Sequence, residues 1–177
     1  MSAVSPHLEL SRLNASTQAE FTQALGAIFE HSPWIPNRAW AARPFASIAA
    51  LHSAMVAVLN SASYEEKLAL ICAHPELAGK QAQEGTLTTE SKSEQRGAGL
   101  DQCTAQELET LRGLNKAYRE KFGFPFVVAV KGLTRDDILG LIAQRIKNPK
   151  EDEFNRCLSE ITKIALFRLQ AQVLEKP

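Results

Sequence analysis

Apolar side chains recur at three- and four-residue intervals along most of the chain, the period of helices with one buried face. Phe21, Leu25, Ile28 and Phe29 form one such stripe. It is opened by Thr17-Gln-Ala-Glu20, in which the threonine and glutamate side chains each cover the other's backbone N–H as a capping box. Ile48, Leu51, Met55, Val58 and Leu59 predict a helix of about four turns. Ser63-Tyr-Glu-Glu66 caps the next, which ends at His74-Pro75 because proline pushes the preceding residue toward extended geometry. Thr104-Ala-Gln-Glu107 opens a helix with Leu108, Leu111, Leu114 and Tyr118 on one side, stopping at Phe122-Gly123. Thr134-Arg-Asp-Asp137 opens another with Ile138, Leu141, Ile142 and Ile146 inward. After a break at Asn148-Pro149, a long last helix carries Phe154, Leu158, Ile161, Ile164, Ala165 and Leu169.

The stretches between these stripes differ in kind. HSPWIPNRAWAARPF, with three prolines and two tryptophans, predicts a packed connector with one short helix. Residues 79 to 103 hold four glycines and few large apolar groups, a composition that inside a compact domain marks a functional or mobile segment. FPFVVAVKG is β-branched and too short for a helix of its own. No two segments alternate as paired strands would, no repeat recurs, and no linker separates domains. The prediction is one all-α domain over residues 1–177 with about eight helices, its first ~10 residues loosely ordered.

Composition narrows the function classes. Twenty basic and twenty acidic side chains cancel, so the electrostatic footprint of nucleic-acid binding is absent. No apolar run reaches the roughly 18 to 20 residues of a membrane span, and the N-terminal stretch lacks the pattern of a signal peptide. Cys72, Cys103 and Cys157 are odd in number and far apart, which points to reduced thiols and a cytoplasmic location. A small molecule or another protein is the expected partner.

Four histidines are the natural starting point for acid–base chemistry. His7 lies near the N-terminus, expected to be frayed. His52 sits beside an apolar stripe, and His31 stands where it could cap a helix. His74 stands at a helix C-terminus, where the macrodipole favours a protonated ring and where Pro75 turns it off the helix axis. Cys72-Ala-His74 is too tightly spaced for a metal site, and no second cluster completes one. The phosphate-cradle, dinucleotide and hydrolase-elbow motifs are absent. Ser91-Lys-Ser-Glu94 has the form of a capping box, in which Glu94 covers a backbone N–H. The same helix start could instead present N–H groups, Ser91 and Gln95 to an anion, with Glu94 accepting from a urea-like N–H. Arg168, flanked by Phe167 and Leu169, is either an exposed helix-face charge or a half-buried fork aimed at a carboxylate. Arg145 has a similar setting.

Taken in order, AHPELAGK, SKSEQRGAGLD, KFGFPFVVAVKG, LIAQRIKN and EITKIALFRL resemble the OHCU decarboxylase family, where OHCU is 2-oxo-4-hydroxy-4-carboxy-5-ureidoimidazoline. FEHSPWIPNRAW is similar to the family's N-terminal block, so the likeness runs over roughly residues 10 to 172. The resemblance implies an all-α lyase that needs no cofactor or metal and converts OHCU to (S)-allantoin and CO2 in urate catabolism. It implies that His74 is the catalytic acid/base and that Pro75 lines the pocket. Ser91, Glu94 and Gln95 then meet the substrate, Glu94 also assisting catalysis. Backbone contacts come from Phe126, Val127, Val128, Ala129 and Val130, and Arg168 is the site arginine. Homodimers occur in that family, so a pair of chains is a further expectation. A hydrolase of a neighbouring ureide and a non-catalytic anion-binding helical module are the rival readings.

Overall fold

The computed structural model describes residues 8–175. The elements run β1 (Leu8–Glu9), α1 (Leu10–Ala15), α2 (Gln18–Leu25), α3 (Trp34–Ala39), α4 (Ile48–Ser61), α5 (Tyr64–Ala73), α6 (Lys80–Glu84), α7 (Thr89–Gly97), α8 (Ala105–Phe122), α9 (Arg135–Arg145), α10 (Lys150–Gln172) and β2 (Val173–Leu174). Short 3-10 turns lie at Trp40–Ala42 and Leu100–Gln102. The fold is all-α, as the periodicity predicts.

Three expectations are corrected. The described residues form ten α-helices rather than about eight, because α1 and α6, of six and five residues, are too short for a stripe to show. A pair of strands exists: β1 and β2 run parallel, with Leu8 opposite Val173 and Glu9 opposite Leu174. Two residues cannot display an alternating pattern. Leu8, Glu9 and Leu10 therefore sit in regular structure where loose order was expected, while residues 1–7, with His7, lie outside the described residues.

Contacts gather the chain into two units: residues up to 70 together with those from 162 onward, and residues 71–161. The divisions fall inside α5 and α10. In the first unit α2, α3 and α4 share a core of Phe21, Leu25, Ile35, Leu51, Met55 and Leu59, all buried. The Thr17–Glu20 capping box is present, but α2 stops at Leu25, and buried Ile28 and Phe29 continue its stripe through a turn. Arg43 stacks on Trp40 at 3.9 Å and donates to the Asn14 and Ser16 carbonyls, pinning the proline-rich connector. His52 is half-buried, its Nε2 lying 2.8 Å from the Thr162 carbonyl. His31 is exposed and holds φ 46° in the turn after α2.

The second unit is organised by α8, whose capping box joins Thr104 and Glu107. At its end Gly123 takes φ 82°, a left-handed conformation open to glycine at little cost. The chain then turns into residues 124–130, which form neither helix nor strand and are mostly buried. Tyr118, Phe122, Phe124 and Phe126 cluster there, the Tyr118 ring 4.5 Å from Phe122 and 5.3 Å edge-on from Phe126.

Candidate active site

α5 ends at Ala73, immediately before His74 and Pro75. His74 is 6% exposed. The loop that follows is held at three consecutive residues by side chains of α7 and α8. Gln95 accepts from the Ala78 N–H at 2.9 Å and donates to the Glu76 carbonyl at 3.5 Å. Asn115 donates to the Leu77 carbonyl at 3.0 Å. Arg119 donates to the Glu76 carboxylate at 2.7 Å. Ala78 holds φ 50°, a conformation a side chain disfavours, so external bonds are what keep it there. Gly79 follows because a Cβ at that position would lie 2.7 Å from the Glu76 Cβ.

α7 places Ser91, Glu94 and Gln95 on one helix, with Ser91 and Gln95 buried and Glu94 half-buried. The capping box read at Ser91 is corrected. The N-cap is Thr88, which accepts from the Ser91 N–H, so Ser91 stands a turn inside the helix. Competing hydroxyls in Thr88-Thr89-Glu-Ser91 hid the true start. Gln95, expected to face substrate, already bonds the loop through both ends of its amide. Gln95 and Ala78 also line a cavity of about 410 Å³, together with Arg96, Leu100, Leu108 and Arg112.

Residues 126–130 are fixed by α9 and α10. The Arg145 guanidinium donates to the Val127 carbonyl at 2.8 Å, pairs with Glu153 at 2.9 Å and lies 4.5 Å over the Phe126 ring. Glu153 also accepts from the Tyr118 hydroxyl and, at 2.8 Å, from the Asn148 amide. Glu160 accepts from the Ala129 N–H at 3.0 Å and pairs with Arg156. Backbone groups of Val127 and Ala129, expected to meet a substrate, are thus bonded within the unit, and the Val130 carbonyl accepts from the Leu133 N–H. Val128 is buried beside them. Burial opposes the Arg145 charge, but the Glu153 bond and charge outweigh it and its pKa is raised. Burial pushes the Cys157 thiol up against the opposing Tyr118 bond and Arg145 charge. Burial, with Cys157 and Glu153 adding to it, pushes the Tyr118 phenol far up.

Arg168 lies in the other unit, 5% exposed, with Nη1 at 2.9 Å from Glu30 and 3.0 Å from the Ala27 carbonyl. Arg168 is buried rather than an exposed helix-face charge or half-buried, and the carboxylate its Nη1 meets is that of Glu30. Glu30, Glu76, Asn115, Arg119, Glu153 and Glu160 were not foreseen. Asn115 and Glu153 left a trace, since each interrupts an apolar stripe: Leu111–Asn115–Tyr118–Phe122 and Glu153–Cys157–Ile161–Ile164. Among the described residues no three His, Cys, Asp or Glu side chains gather as a metal site requires. No helix among them is long and apolar enough to cross a membrane.

Residues 14–170 match the OHCU decarboxylase family. The chain belongs to that family. It is 41% identical to the 2-oxo-4-hydroxy-4-carboxy-5-ureidoimidazoline decarboxylase of Haloferax volcanii, over 92% of this chain and 94% of that one. It is 42% identical to the uric acid degradation bifunctional protein of Bacillus subtilis, over 93% of this chain but 32% of that protein. It thus spans about a third of such bifunctional relatives. A crystal structure of (S)-allantoin synthase superimposes with a TM-score of 0.73 at 31% identity, covering 94% of this OHCU decarboxylase family member and 54% of that chain.

Proposed function

We propose that this chain decarboxylates OHCU to (S)-allantoin and CO2 in urate breakdown. The observation that carries the reading is His74, buried and set by a proline at the end of α5 on a loop clamped at three consecutive residues. A catalytic imidazole needs such fixed placement, because small misalignments of an acid or base cost large factors in rate.

The chemistry asks for little else. When the C4–CO2 bond breaks, its electron pair forms a C4=C5 double bond while the C5=N π pair moves onto the ring nitrogen. That nitrogen takes a proton from solvent, giving a neutral enol-type species. The 4-hydroxyl then loses its proton to become a carbonyl as C5 gains one on a single face. One imidazole serves as base near the hydroxyl and acid near C5. The C5=N bond is the electron sink, so no step calls for a cofactor or metal. Glu94 orients the ring or the ureido N–H groups, Ser91 and Gln95 supply neutral hydrogen bonds, Pro75 lines the pocket, and the backbone of Phe126 to Val130 completes it. Arg168 is the anion-facing arginine that the family resemblance implies. Binding the departing carboxylate too tightly would stabilise the ground state and slow its loss. The same reading places the protein in the cytoplasm, as a homodimer, acting on a small anion with no nucleic-acid or membrane partner.

The test generates OHCU in situ from urate with urate oxidase and the hydrolase that follows, and records allantoin by circular dichroism. Rapid growth of the (S)-allantoin signal, lost in His74→Ala, is expected. A slow racemic product with and without the protein would overturn the reading, and activity on allantoin or a hydantoin would then be tested as the mark of a ureide hydrolase.

A further inference from the structure

Three consecutive residues beyond Pro75 are tied by side chains. Two of the ties have an independent reason to exist: Gln95 belongs to the motif that resembles a substrate-binding one, and Arg119–Glu76 is a partly exposed ion pair. Asn115 has neither. It is 3% exposed, in the stripe Leu111–Asn115–Tyr118–Phe122, where every other member is apolar or aromatic. Its Nδ2 donates to the Leu77 carbonyl, and its Oδ1 is buried with no hydrogen-bond partner. A half-satisfied amide in a core costs stability relative to an apolar side chain of the same shape. The fold tolerates that cost at a single point of contact, the peptide three residues after His74.

We propose that Asn115 is a positioning residue for His74, fixing the Leu77 peptide so that the loop presents the imidazole in one orientation. Between His74 and Leu77, Pro75 has its φ locked by its ring, and Glu76 is held through its carbonyl and its carboxylate. The Leu77 carbonyl is the next group along, and without its bond the left-handed Ala78 beyond it loses part of its support. A loop free to sample other dihedrals at residue 77 carries the ring away from one fixed placement, and rate is lost even though the fold persists.

The inference rests on His74 being the acid/base proposed above. Asn115→Leu tests it, because leucine removes the loop bond and the buried Oδ1 together while keeping an apolar side chain of similar size in the stripe. Expected are an unfolding midpoint changed only modestly, the buried Oδ1 being removed as the Leu77 carbonyl loses its donor, and a kcat for OHCU lowered about tenfold or more with KM little changed. The pH midpoint of kcat and the NMR-detected titration of the His74 ring should each move by about half a unit or more. A loss of folded enzyme alone would move neither midpoint. Wild-type kcat, pH profile and ring titration in Asn115→Leu would overturn the proposal, and Asn115→Ala read by the same measures serves if leucine does not fold. Failure of the wild-type protein to turn over OHCU would instead overturn the function reading, and the His74 titration would still decide the role of Asn115.

Discussion

The Arg168 guanidinium meets the Glu30 carboxylate at 2.9 Å, with both side chains almost wholly buried. Removing one member of such a pair strands the other charge in the interior, and the cost is set by that stranded charge more than by the lost attraction. Arg168→Met and Glu30→Gln should each lower unfolding free energy by about 3–5 kcal/mol. Urea unfolding measures this. A loss in Glu30→Gln no larger than that of a surface ion pair would show that the carboxylate is not what holds the arginine.

Two buried groups predict an alkaline weakness. Cys157 and Tyr118 both have folded-state pKa values raised, chiefly by burial. Each therefore binds its proton more tightly folded than unfolded. Their contribution is complete below the unfolded values, near about 8.5 for a thiol and 10 for a phenol, and is lost as pH rises beyond them. Unfolding free energy should fall from about pH 8.5 upward, and Cys157→Ala should make that fall shallower between about pH 8.5 and 10. Equal slopes in the two proteins between those pH values would contradict the assignment to Cys157.

Glycines at two positions should respond in opposite ways. Gly79→Ala pushes a Cβ against Glu76 and must shift the loop that carries His74, so kcat should drop by about 10²-fold. Gly140→Ala, on the exposed side of α9 with nothing within 4 Å of the added methyl, should stabilise by up to about 1 kcal/mol and leave kcat alone. Steady-state kinetics with thermal unfolding on both variants checks the pair.

Thiol reactivity should follow burial. Cys72 is exposed, Cys103 half-buried and Cys157 buried. Burial first, and Glu107 second, raise the Cys103 pKa. Colorimetric labelling of the native protein should modify Cys72 first, Cys103 slowly, and Cys157 only with unfolding. Mass mapping of early-labelled peptides decides it, and early modification of Cys157 would mean that its surroundings open readily.

What the sequence revealed and what it hid follow from range. The Thr17–Glu20, Thr104–Glu107 and Thr134–Asp137 boxes span one helical turn, so pattern and structure coincide. The place of His74 at the end of α5 was legible because Pro75 is adjacent. At Thr88 the pattern misled, since the form Ser-x-x-Glu fits Ser91 although the threonine before it caps the helix. Glu30 and Arg168 are 138 positions apart, and no local pattern joins them. The grip of Arg145 on the Val127 carbonyl depends on an irregular segment whose path follows from packing alone. Asn115 lay between these cases: its place in an apolar stripe was visible, but its partner was not.

The pairing of Leu8 with Val173 sets the two ends of the described chain side by side. The described residues thus begin and end on adjacent strands of one unit. Because the two strands are parallel, a crossover linker of about a dozen residues from residue 174 back to residue 8 would join them, and a new opening just after Ser61, the exposed last residue of α4, would leave α7, α8 and the His74 loop in unbroken sequence.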